Sequence, residues 1–80
     1  MERSLHSLKL KRLQNLLRQV RDDAGLRQVD LADKLASPQS FVSKYESGER
    51  CLDLLELEQV CSALGISLQE FIHRYEESER

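Results

Sequence analysis

The tightest constraint on this chain is the break at Ala36-Ser37-Pro38, set between two short runs of helical periodicity. Leu31, Ala32 and Leu35 recur at three- and four-residue steps before it, and Val42 and Tyr45 do so after it. Proline cannot continue a helix but fits the first position of a new one. Ser37, just ahead of it, is placed to cap the free N–H groups. Residues 27–48 therefore predict two short helices joined by a tight turn, the second at about residues 38–46. On that second helix Val42 and Tyr45 point one way, while Gln39, Ser40, Ser43 and Lys44 point roughly the other. An outer face of amide, hydroxyl and ammonium groups is equipped to read base edges in a major groove.

The flanking sequence is helical as well. Leu10, Leu13, Leu16, Leu17, Val20 and Ala24 form one apolar stripe, which predicts a first helix at about residues 8–24 with Ser4 or Ser7 as cap. Leu5 and Leu8 fall off that stripe; they mark either an exposed, frayed start or a partner contact. Gly25 stands where a left-handed residue ends the helix, with Leu26 tucked back beneath it. Asp22 and Asp23 oppose the helix dipole, and the sequence gives no reason for them. Further on, Asp53 and Glu56 form a capping box ahead of Leu54, Leu57, Val60, Cys61 and Leu64, and Gly65 closes that helix. Ser67 with Glu70 predicts a second box, with Ile66 and Phe71 as a hydrophobic staple. The last helix, about residues 68–76, is expected to bury Leu68, Phe71, Ile72 and Tyr75. Strand signals are almost absent. The expectation is one all-α domain over residues 1–80, a compact five-helix bundle with a polar lead-in at 1–7 and an acidic tail at 76–80.

Charge is distributed unevenly. The chain carries −2 overall, which is unusual for a protein that meets nucleic acid. Yet residues 1–52 hold 10 Lys/Arg against 7 Asp/Glu, and residues 53–80 hold 2 against 7. Phosphate attraction acts over about a Debye length, so a basic half with an acidic back is compatible with DNA. Apolar residues never run beyond adjacent pairs, which argues against a membrane span or a secretory segment. Cys51 and Cys61 make no disulfide framework and read as free thiols in a reducing cytoplasm. His6 and His73 have no partners in sequence that would build a catalytic set, and no zinc spacing or phosphate-cradling loop occurs. No catalytic residue, metal, cofactor or small-molecule substrate is expected.

Arg21, Gly25-Leu26-Arg27-Gln28, Leu31-Ala32, Leu35, Val42-Ser43, Glu46-Ser47-Gly48 and Ala63-Leu64-Gly65-Ile66-Ser67 lie in a telling order and spacing. Together they resemble the phage repressor and Cro, or Xre-like, helix-turn-helix domains, over residues 13–75. The resemblance implies a lambda-repressor-like bundle whose second and third helices form the helix-turn-helix. It also implies a bacterial or phage-derived, sequence-specific regulator of transcription that binds double-stranded DNA. By the same resemblance Gln28 hydrogen-bonds a phosphate and aims the following helix. Gln39, Ser40, Ser43 and Lys44 face bases or nearby backbone, and Ser47 and Arg50 contact phosphates. Arg21 and Glu46 match the family's internal ion pair. Some positions depart from the pattern: Arg27 replaces the usual hydroxyl cap, Ala36 the turn glycine, Ser37 a hydrophobic residue, Phe41 a polar one and Leu52 a frequent proline.

One short helix reads too few bases to be selective, so a homodimer on a palindromic operator is expected. By elimination and by resemblance, the fifth helix and the Leu5/Leu8 region are candidates for the dimer surface. The rival reading is a protein-interaction module of the same fold, an antitoxin or coactivator-like adaptor, which the negative charge suits. Gln28, Gln39 and Lys44 on one outward face favour DNA.

Overall fold

The computed structural model describes residues 3–78, with side chains from Ser7 onward. Five helices follow one another: α1 (Arg3–Asp23), α2 (Gln28–Lys34), α3 (Gln39–Ser47), α4 (Leu54–Leu64) and α5 (Leu68–Glu77). Each contributes to one core: Leu17 and Val20 from α1, Leu31 and Ala32 from α2, Val42 and Tyr45 from α3, Val60, Cys61 and Leu64 from α4, and Phe71 from α5. The short α2 and α3 pack on each other, α1 packs on α3 and α5, and α4 packs on α5 and α2. Ala32 is fully buried. A larger side chain there would overpack the α2 contacts.

Helix α1 differs most from its sequence-based bounds. It begins at Arg3, so the expected lead-in is helical within the described residues. No proline or glycine interrupts residues 3–8, and serine inside a helix costs little, so Ser4 and Ser7 lie within the helix instead of capping it. Leu8 is helical and 67% exposed rather than frayed, while the Leu5 side chain lies outside the described residues. At the other end Ala24 has left the helix and is exposed. On α5, Phe71 faces the core with Leu68 and Tyr75 beside it, but Ile72, about 100° round the helix, is 44% exposed. Leu54, at the first position of α4, is 64% exposed against expectation. Glu76 and Glu77, assigned to the tail, still belong to α5.

Three helices end by the same device. After α1, Leu26 N–H bonds Arg21 C=O (3.2 Å) and Gly25 N–H bonds Asp22 C=O (2.9 Å), with Gly25 left-handed at φ 73°. After α4, Ile66 and Gly65 repeat the pattern on Cys61 and Ser62. After α2, Ser37 N–H bonds Ala32 C=O (3.0 Å) and Ala36 N–H bonds Asp33 C=O (3.1 Å). This paired closure is the Schellman motif. In the α2–α3 turn its left-handed position, at φ 52°, is held by alanine. An L-residue pays about 1–2 kcal/mol there through its Cβ, part of which glycine gives back as unfolded-chain entropy. Ala36→Gly is thus expected to stabilise the fold by roughly 1 kcal/mol and to raise Tm by about 4–8 °C. A thermal melt showing no rise would mean that the turn carries no strain.

Capping divides the remaining ends. Asp53 Oδ1 accepts from Glu56 N–H (2.7 Å) and Glu56 Oε1 accepts from Asp53 N–H (3.0 Å), a full box at the start of α4. At α5 only half of the second box forms. Ser67 Oγ accepts from Glu70 N–H (3.0 Å), but the Glu70 carboxylate turns away to Arg74 Nε at 2.9 Å, a charged partner stronger than a backbone amide. The two aspartates at the end of α1 also have partners: Asp22 lies 3.4 Å from the Arg21 guanidinium, and Asp23 accepts from Gln19 Nε2 at 2.8 Å. Arg12 ties α1 to α5, donating to Tyr75 Oη (2.9 Å) with its guanidinium over the ring.

Candidate nucleic-acid interface

The surface of interest is built on α3. Pro38 is its N-cap, in extended conformation (φ −69°, ψ 153°), and not its first helical residue. Ser37 does not cap it: its hydroxyl donates backwards to Leu35 C=O at 3.1 Å, because the α2 closure directs that residue toward the preceding helix. From this start the helical period does the sorting. Val42 and Tyr45 are buried, whereas Gln39, Ser40, Ser43, Lys44 and Ser47 are all exposed. The polar edge of α3 is therefore open among the described residues. Phe41 sits at the flank, half-buried, its ring edge-on to Tyr45 (centroids 5.4 Å apart) and covered by the Arg50 guanidinium. Burial, and after it the neighbouring Glu46, push the Tyr45 phenol well above its usual pKa, so it stays neutral.

Beneath that edge runs a chain of hydrogen bonds. Arg21 grips Glu46 with both ends of a fork, Nε to Oε2 at 2.8 Å and Nη2 to Oε1 at 3.1 Å, and its Nη1 donates to Leu26 C=O at 2.8 Å. The two side chains are 9% and 5% exposed. The hydrogen bond to Glu46 raises the Arg21 pKa further, against the effect of its burial. Glu46 Oε1 also accepts from Gln28 Nε2 (3.0 Å), and Gln28 Oε1 accepts from Gln39 Nε2 (3.4 Å). A buried ion pair linking α1 to the end of α3 thus fixes Gln28 on α2, and Gln28 in turn meets Gln39 at the start of α3. Such a network orients its members as well as holding them.

The other sequence-derived candidates are placed differently. Ser40, Ser43 and Lys44 project from the open edge. Ser47 donates its hydroxyl to Lys44 C=O at 3.1 Å. Arg50 is paired with the Glu56 carboxylate and stacked on Phe41, so it does not stand clear in solvent. Arg27 has no lone pair with which to cap α2. Instead Asp30 accepts from the Arg27 backbone N–H (2.9 Å) and from its guanidinium (2.9 and 3.0 Å), which holds the Asp30 carboxyl down at about 2. One residue was not singled out from sequence. Arg18, one turn before Arg21 on α1, lines a polar cleft with Gln28, Ser43, Glu46 and Ser47. Its three-residue step from Arg21 was the available signal. Among the described residues no group of three His, Cys, Asp or Glu is placed to hold a metal ion, and no helix is long and apolar enough to cross a membrane. His73 is exposed, 3.8 Å from Glu77.

Comparison with known proteins gives the same picture. A helix-turn-helix family model matches residues 17–71. An XRE-family like protein from Pseudomonas syringae pv. tomato is 35% identical, with a TM-score of 0.85 over 96% of this chain and 94% of its own. The wild-type restriction-modification controller protein C.Esp1396I is 25% identical, with a TM-score of 0.80 over 86% and 91% of the two chains. The same controller protein, as a tetramer in complex with its natural 35 base-pair operator, gives a TM-score of 0.79 at 25% identity over 86% and 91%. No curated protein matches. With most of its length covered by the family model and a solved relative above 30% identity, the chain belongs to the XRE-family helix-turn-helix proteins.

Proposed function

We propose that this protein is a sequence-specific transcriptional regulator that binds double-stranded DNA by seating α3 in the major groove. The observation that carries this reading is the open polar edge of α3, Gln39, Ser40, Ser43 and Lys44, backed by a hydrogen-bonded chain that reaches the buried Arg21–Glu46 pair. Glutamine can pair bidentately with adenine, and lysine can reach guanine O6 and N7. Gln28 serves the backbone, setting register rather than sequence choice, and Ser47 and Arg50 join it by exchanging Lys44 C=O and Glu56 for phosphates. Binding, not catalysis, is the activity, and it takes place in the cytoplasm. The operator complex of the related controller protein supports DNA as the partner.

Homodimerisation on a palindromic operator is part of the proposal. Large apolar side chains left exposed at Leu8, Leu54, Leu55 and Ile72 offer surface for a second copy. The test is titration of the protein into operator and random duplex at several salt concentrations. Log K is expected to fall linearly with log salt, by about 0.9 per phosphate neutralised. Absence of binding even at low salt would favour the adaptor reading, in which the same edge meets a protein.

A further inference from the structure

We propose that Arg18, with Ser43 and Gln28, holds one backbone phosphate of DNA in the cleft between α1, α2 and α3; this rests on the DNA-binding reading above. The cleft encloses about 180 Å³ and is lined by Arg18, Gln28, Ser43, Glu46 and Ser47. At first sight Glu46 should repel an anion from it. Its charge, however, is matched by the Arg21 fork, and its Oε1 also takes the Gln28 amide, so the one carboxylate in the lining belongs to a net-neutral, hydrogen-bonded pair. The walls, by contrast, are donors. Arg18 is exposed and brings a full positive charge. Gln28 Nε2 spends one hydrogen on Glu46 and keeps the second. The exposed Ser43 hydroxyl stands on the open edge of α3 itself. Ser47 completes the lining, its hydroxyl donated to Lys44 C=O in the free protein.

A guanidinium, an amide and a hydroxyl lining one polar hollow suit a phosphodiester oxygen, which accepts several hydrogen bonds at once. The position suits it as well. Ser43 belongs to the edge that would enter the groove, and Arg18 comes from α1, outside the helix-turn-helix. A phosphate seated between them would pin the first helix to one strand and fix how deep α3 enters. Contacts of this kind place the protein on the duplex and carry no sequence information.

The experiment measures affinity of the wild type, Arg18→Gln and Arg18→Lys for operator and for random duplex across a salt series. Arg18→Gln should weaken both duplexes by the same factor and lower the log–log salt slope by about 1. Arg18→Lys should restore the slope. Melting temperature should not change, since Arg18 is exposed. Replacing chloride with inorganic phosphate at equal ionic strength should weaken DNA binding no more in Arg18→Gln than in the wild type. An unchanged slope in Arg18→Gln, or a loss confined to operator, would overturn the assignment while leaving DNA binding intact. Displacement by inorganic phosphate in the wild type but not in Arg18→Gln would show the two competing for the same cleft, in support of the assignment. If the wild type binds neither duplex, the functional reading falls and takes this inference with it.

Discussion

Arg21→Ala is expected to cost roughly 3–5 kcal/mol of stability, because it leaves the Glu46 carboxylate buried with its counter-charge gone. At about 4–8 °C of Tm per kcal/mol in a domain of this size, the variant should melt many degrees lower, with no DNA present. The loss has three parts: the bidentate fork on Glu46, the bond to Leu26 C=O that closes the end of α1, and the charge balance of a carboxylate only 5% exposed. Arg21→Lys should recover only part of it, since an ammonium cannot reproduce the fork. Replacing both partners, Arg21→Met with Glu46→Leu, should return most of the stability, because an apolar pair leaves no stranded charge. That double variant should still bind DNA poorly, for Gln28 would lose the acceptor that orients it. Unaffected stability in Arg21→Ala would show that the pair does not support the fold, and full DNA affinity in the double variant would show that it does not aim the amides.

Lys44→Ala is expected to weaken operator binding by about 1–3 kcal/mol, roughly 5- to 150-fold in Kd, and to change which base is preferred at one position. Lys44 is exposed on the open edge, so the effect on folding should be small. The only foreseeable loss there is its favourable place in the last turn of α3, worth about 0.3–1 kcal/mol. Selection of bound duplexes from a randomised pool would show the altered preference. If affinity falls equally on every sequence, Lys44 contacts phosphate and not a base. If affinity and preference both persist, it lies off the reading face.

The sequence showed the helices well where period and punctuation agreed. Gly25 and Gly65 marked two helix ends, Asp53 with Glu56 marked a start, and Val42 with Tyr45 fixed which face of α3 turns inward. It failed where a side chain had a choice of partner. Glu70 prefers Arg74 to the amide that a capping box would give it, and Ser37 turns back to Leu35 instead of forward to α3. Choices of that kind depend on which groups tertiary packing brings near. The same holds for the interface. Arg21 and Glu46 are 25 residues apart, and only the resemblance paired them; their meeting is a matter of packing. The bonds of Gln28 to Glu46 and of Gln39 to Gln28 were not visible in spacing at all. Arg18 carried little signal because an arginine on a helix surface is ordinarily a solvated charge, and its cleft exists only once α1, α2 and α3 are assembled.

The carboxylate of Glu56 has two tasks, accepting the Asp53 amide that opens α4 and gripping Arg50 beside Phe41. Unwinding that first turn of α4 would therefore move the carboxylate that holds Arg50. Whatever steadies or frays the front of α4, including a second subunit resting on Leu54 and Leu55, would be felt by Arg50 through that shared carboxylate. On the dimeric, DNA-binding reading proposed above, assembly state and grip on the double helix would then be mechanically geared together.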